Sequence, residues 1–242
     1  MKKIIVLPAY NAAKTLKETV GSLPAGAFDE ILLVDDCSSD GTYELALELG
    51  LHAVKHPRNR GYGGNQKTCY ALALEHGADI VVMLHPDYQY DPRVIPFMTG
   101  IIEDGICDVV LGNRIRTRAE ALSGGMPVYK YLANRFLTVI ENLAAGQNLG
   151  EWHSGLRAYS RGALEKVNWA DNSEGFAFDS QYLFQAAFKE LRLGDIPVPS
   201  KYFREASSIS FSGGVLYGLR TLLAAAEFLL NRSGLARTAR YR

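Results

Sequence analysis

The chain has 242 residues, and its 26 Lys plus Arg balance its 26 Asp plus Glu. That length suits one large domain or a domain with an appendage, and the balanced charge leaves no global field to draw in nucleic acid. Three scattered cysteines, Cys37, Cys69 and Cys107, offer no disulfide framework and fit a reducing cytoplasm.

Strand and helix signals alternate from the start. "KIIVL" reads as a strand, too short an apolar run for a signal peptide. "AAKTLKETVGSL" has apolar residues at helical spacing, and "EILLVDD" is a second strand. "SSDGTYELALELG" opens on capping residues and stops at Gly50. "HAVKH" is a short strand, and "GGNQKTCYALALEHG" is another helix closed by glycine. "DIVVML" is a continuous apolar strand, as expected where both sheet faces are covered. "DPRVIPFMTGIIEDG" is helical, with Asp91 and Pro92 at its start, and "CDVVLGN" is a further strand. Alternation of this kind predicts an α/β fold with a mainly parallel sheet and helices on both faces.

The second half is less regular. "VYKYLANRFLTVIENLAAG" and "FDSQYLFQAAFKE" read as helices, and "SGLRAYS" and "LRLGDIPVP" as short strands. Residues 213–231 form an apolar stretch, broken by Arg220 and Glu227, ahead of a basic tail. The expected division is a domain over 1–211 and a C-terminal amphipathic helix with its tail over 212–242. Such a helix suits either an anionic membrane surface or packing on the domain or a second subunit.

Polar residues gather at the predicted strand ends. The first strand delivers Pro8, Tyr10 and Asn11, and the second Asp35 and Asp36. The fourth delivers His85 and Asp87, and the fifth Arg114. Parallel sheets bind ligands beyond the carboxyl ends of their strands. Capping explains any one of these groups, but four on one rim point to a site. A dinucleotide fingerprint is missing: "PAYNAAK" after the first strand has no glycine. The P-loop, the serine-hydrolase elbow and zinc-ligand spacing are also missing.

In this order the motifs resemble family 2 glycosyltransferases of the GT-A fold, in the branch with dolichol-phosphate mannose and glucose synthases. They are "VLPAYNAAKTL", "ILLVDDCSSDGT", "HPRNRGYGGNQKTCYALA", "VVMLHPDYQYDP", "VVLGNR" and "SGLRAYSR". The resemblance implies an inverting transferase that moves a hexose from a nucleotide-diphosphate sugar. Its acceptor would be a polyprenyl phosphate, or a glycan or lipid precursor. A non-catalytic nucleotide-sugar-binding protein is the reading from another class. Pro8, Tyr10, Asn11, Asp35, Asp36 and His85 would meet the donor. Asp87, with His85, would hold Mg²⁺ or Mn²⁺ on the leaving diphosphate. His85 stands where the family has an acid, which suits Mn²⁺ better than Mg²⁺. Asp179 would serve as general base or as a helix cap. Arg114, Arg157, Lys201 and Arg204 would bind an acceptor phosphate. Ala12 and the register of Arg204 depart from the polyprenyl-phosphate branch. Peripheral membrane contact through 213–231 and homo-oligomerisation complete the expectations.

Overall fold

The computed structural model describes residues 1–201 and 211–242. Seven strands form one sheet: β1 (Lys3–Ala9), β2 (Glu30–Asp35), β3 (His52–Lys55), β4 (Ile80–Leu84), β5 (Val109–Asn113), β6 (Leu156–Ser160) and β7 (Leu193–Pro197). Their order is β3-β2-β1-β4-β6-β5-β7. All neighbours pair parallel except those of β6, which runs antiparallel to both β4 and β5. The sheet is therefore mainly parallel, as the alternating pattern predicts. The antiparallel strand is "LRAYS", whose place between β4 and β5 no local signal marks.

The helices are α1 (Ala13–Gly21), α2 (Thr42–Glu48), α3 (Gly61–Glu75), α4 (Ile95–Glu103), α5 (Arg118–Ser123), α6 (Val128–Ala145), α7 (Arg161–Lys166), α8 (Phe178–Phe188) and α9 (Phe211–Arg232). Alternate strand residues face opposite sides, so the sheet carries two cores. Ile4, Val34, Met83 and Tyr159 pack with α3, α8 and α9 on one face. Ile5, Leu33, Val82 and Ala158 pack with α1, α2 and α4 on the other. Asp91 caps the turn before α4, accepting from Arg93 N–H at 3.0 Å. The expected Ser and Asp cap of α2 is displaced: Gly41 is the N-cap, while Asp40 accepts from the Thr42 hydroxyl at 2.5 Å.

The C-terminal helix does not stand apart from the domain. α9 packs against α6 and α8, and places Phe228, with no exposure, in the same core as β1. Residues 213–232 are long and apolar enough to cross a membrane by length and composition. Thr221, Ala224, Ala225 and Phe228 instead turn one side of the helix into the protein.

The start of α3 lies hard against the loop before α8. A Cβ on Gly63 would stand 2.1 Å from the Ser173 carbonyl oxygen and 2.9 Å from Phe178 Cβ. The first obstacle is backbone, so relief requires moving a whole segment. Gly63→Ala should therefore destabilise the fold by about 1–3 kcal/mol, read as a lower urea midpoint; an unchanged midpoint would refute this close approach.

Candidate active site

Parallel register sets the rim. Ala9 lies beside Asp35, and Asp35 beside Lys55, so β1, β2 and β3 end level with one another. β4 hands on to His85 and β5 to Arg114. Because β6 is reversed, its amino end reaches the same rim. The preceding segment, Glu151–Gly155, is thereby placed among the ends of β4 and β5, with His85 N–H donating to Gly155 C=O at 3.1 Å.

Asp35 ends β2 and Asp36 follows it, and the two carboxylates find different partners. Asp36 is spent on structure. Its Oδ1 accepts from His56 Nδ1 at 2.7 Å and Arg60 N–H at 2.8 Å, and its Oδ2 from Gly61 N–H at 2.9 Å. With both oxygens engaged, it fastens the entry to α3. Asp35 is different. Its Oδ2 accepts from Ser38 N–H at 3.1 Å, while Oδ1 is buried without a partner among the described residues. A buried acceptor left unpaired is costly, and a ligand N–H or hydroxyl would satisfy it.

The other opening-motif residues divide in the same way. Pro8 lies inside β1 opposite Val34 and is buried, so it supports the strand. Asn11 takes a positive φ of 51° and bridges two loops, donating from its N–H to Ser38 Oγ and accepting from Ser39 N–H. Tyr10 is 57% exposed on the rim. Asn65 joins the ends of β1 and β2, donating to Ala9 C=O and Val34 C=O.

A chain of polar groups crosses the site. Arg157 on β6 is fully buried, 3.1 Å from Asp179 on α8. Asp179 Oδ2 accepts the Tyr62 hydroxyl at 2.6 Å, and Oδ1 accepts from Gln66 at 3.2 Å. The Tyr62 oxygen lies 3.0 Å from His85 Nε2. Tyr62 has one proton, and the carboxylate, which only accepts, takes it. His85 Nε2 must then carry the hydrogen, which leaves the lone pair on Nδ1. Burial lowers the His85 pKa to about 4, so the ring is neutral at pH 7. Tyr62 also stacks on the imidazole at 5.2 Å. Gly155 makes room for it: a Cβ there would stand 2.3 Å from His85 Cδ2.

This chain alters two expectations. Asp179 is no cap; Ala177 is the N-cap of α8 and the Asp179 side chain turns to Tyr62, Gln66 and Arg157. Arg157 is fully buried and also donates to Ser154 C=O and Trp152 C=O, while its Nη1 has no partner among the described residues. Tyr62 and Glu151 were missed by the sequence reading. No local pattern around "GYGG" singles out Tyr62, and nothing near Glu151 marks it.

Asp87 is half-buried, accepts from Gln89 N–H at 3.1 Å, and among the described residues has no partner on Oδ2. Burial pushes its pKa up to about 6. Arg114 lies on the same rim, bonded to Glu151 (Nε to Oε1 2.9 Å) and set over the Tyr90 ring. Lys201 is exposed and continues the chain from the Tyr90–Ser200 bridge. Arg204 lies outside the described residues.

A neutral imidazole and a desolvated carboxyl fit a divalent metal through one nitrogen and one oxygen. A second group, Glu30, His52 and His76, brings three ligand atoms within 4.8 Å of one another. Glu30 begins β2, so it sits roughly 16 Å from the Asp35 end at strand rise. Its carboxylate is already shared by His76 and Lys2. It cannot serve the rim.

The tautomer can be tested directly. A long-range ¹H–¹⁵N spectrum should place the His85 proton on Nε2, and Tyr62→Phe should leave both tautomers populated. A wild-type proton on Nδ1 would overturn the assignment.

The sequence profile of Glycosyl transferase family 2 matches residues 4–167. A UDP-N-acetylglucosamine–dolichyl-phosphate N-acetylglucosaminyltransferase of Methanococcus voltae is 31% identical, with 82% of this chain and 85% of that one covered. The undecaprenyl-phosphate mannosyltransferase of Micrococcus luteus is 25% identical, with 89% and 90% covered. Among solved structures, glucosyl-3-phosphoglycerate synthase from Mycobacterium tuberculosis in complex with Mn²⁺, UDP-glucose and phosphoglyceric acid has a TM-score of 0.71 at 20% identity. That match covers 98% of this chain and 81% of the other. The structural likeness shows the fold, and the profile spans more than half the sequence: this chain belongs to glycosyl transferase family 2 and is a glycosyltransferase of the GT-A fold.

Proposed function

We propose that this chain transfers a hexose, with inversion, from a nucleoside-diphosphate sugar to a polyprenyl phosphate. The observation that carries the site assignment is the end of β4. There a neutral imidazole and a desolvated carboxyl stand on the rim that also holds the Asp35 oxygen left without a partner among the described residues. The acceptor rests on the relatives, two of which are named for dolichyl or undecaprenyl phosphate.

The residues divide the work. Asp35 Oδ1 accepts from the base or ribose of the donor, and exposed Tyr10 gives the base a flat surface. Asp87, with His85, would hold Mn²⁺ or Mg²⁺. That cation supplies Lewis-acid stabilisation of the charge that grows on the leaving diphosphate. Tyr62 and Asp179 fix the imidazole, as partners of metal-binding histidines commonly do. Asp179 is thus a positioning residue; a phosphate acceptor is already ionised and needs no base. Lys201 and Arg114 place positive charge near the acceptor, and the two phosphate-bearing substrates meet across the rim.

The test is release of nucleoside diphosphate from a panel of nucleotide sugars, with Mn²⁺ or Mg²⁺ and a short polyprenyl phosphate. Release that depends on the lipid phosphate supports the reading; tight donor binding with no turnover on any acceptor would sink it. Asp87→Ala should lower kcat by about a hundredfold or more, and full activity in that variant would remove the central assignment. His85→Asp adds a second hard oxygen ligand and should shift the preference from Mn²⁺ towards Mg²⁺. An unchanged metal preference would show that His85 does not touch the cation.

A further inference from the structure

The amino edge of the sheet gathers metal-binding side chains of its own. Glu30 opens β2, and its side chain shares a face with Leu32, two residues on. His52 opens β3 in register with Leu32 and lies on that face too. Leu32 shares a core with Tyr70 and Ala73 of α3, so α3 covers this face. The helix runs back towards the amino edge and ends there, with His76 as its C-cap. Two strand starts and one helix end thus bring the three residues together. They lie far apart in the sequence, so no local ligand spacing reveals them.

Their geometry is that of a ligand set. One nitrogen or oxygen from each side chain lies within 4.8 Å of those of the other two. His76 Nδ1 is 2.8 Å from Glu30 Oε1. The His52 and His76 rings meet edge to face, with centroids 4.7 Å apart. Lys2 takes the other carboxylate oxygen, Oε2, at 3.0 Å and donates to His76 C=O at 2.7 Å. Glu30 is therefore held from one side, with Oε1 turned to the imidazoles. The carbonyl end of α3 adds negative partial charge beside them, which favours a cation.

Ligand chemistry selects the ion. Two imidazoles and one carboxylate suit a borderline cation such as Zn²⁺, whereas Mg²⁺ prefers oxygen ligands. Zinc bonds of about 2.1 Å set tetrahedral ligand atoms roughly 3.4 Å apart. His52 is exposed, so turning its ring closes the remaining gap.

We infer that Glu30, His52 and His76 form a zinc-class site that fastens the edge of the sheet. β3 is a four-residue edge strand paired only with β2. A shared ion would tie its start to β2 and to the end of α3, with the fourth position left to water. The role is structural. Glu30 stands about 16 Å from the Asp35 end at strand rise, too far to touch either phosphate-bearing substrate. The site therefore does not depend on the acceptor proposed above.

The experiment is a Zn²⁺ titration of the full, untagged chain, stripped with chelator and held in excess Mg²⁺. Asp87→Ala is the parent in every arm, so that the rim offers no competing carboxylate. Its melting temperature should rise by about 5 °C or more once Zn²⁺ stands a hundredfold above its dissociation constant. Adding His52→Ala should leave the melting temperature without Zn²⁺ unchanged, because His52 is exposed, and should weaken Zn²⁺ binding at least about tenfold. In ¹H–¹⁵N spectra Zn²⁺ should move the ring nitrogens of both His52 and His76. No rise in melting temperature, or an equal rise with His52→Ala, overturns the site. So do shifts confined to His56, His85 or His153, which would place the ion elsewhere.

Discussion

The ion pair between Arg157 and Asp179 is the interaction on which the site hangs. It joins the central antiparallel strand to α8 beneath a covered sheet face. Neither charge reaches solvent to any extent. Removing one partner would leave a buried charge uncompensated, which is far costlier than losing an exposed pair. Asp179 then spends its remaining capacity on Tyr62 and Gln66, both on α3. One buried contact thus holds three elements and, through a single hydroxyl proton, determines which nitrogen of His85 carries hydrogen.

The reversed direction of β6 makes this arrangement possible. A parallel strand in its place would send its amino end to the far edge of the sheet. Reversal brings Glu151, His153 and Gly155 to the rim instead. Glu151 then fixes Arg114, and Gly155 gives the His85 ring room that any side chain would fill. The amino-edge group of Glu30, His52 and His76 shows the converse: metal-binding residue types at the wrong end of the strands have no access to the same chemistry.

The periodicity of the first half made β1 to β5 legible, and the ordered motifs placed Asp35, His85, Asp87 and Arg114 on one rim. The division between Asp35 and Asp36 was not legible, because which neighbour is engaged by the start of α3 depends on the packing of Gly61. Arg157 was read as an acceptor cation from its motif. Its burial follows from sheet order: β6 lies between two strands, and Arg157 shares a face with Tyr159 beneath α3 and α8. Strand order is a long-range property, and no local pattern carries it. Tyr62 was hidden for the same reason, since its partners lie 23 and 117 residues away.

His85 in place of an acid has an electrostatic consequence. Two carboxylates and a bound cation would meet the diphosphate with little net charge. One carboxylate and a neutral imidazole leave one more unit of positive charge at the same place. A phosphate acceptor brings further negative charge to a half-buried site, where like charges repel more strongly than in water. Removing a carboxylate therefore eases the approach of two anionic substrates without adding a cation. The cost is a softer ligand set, and Tyr62 fixes which nitrogen of the ring keeps its lone pair. On the proposed acceptor, the departure at position 85 and the buried chain behind it serve the same end.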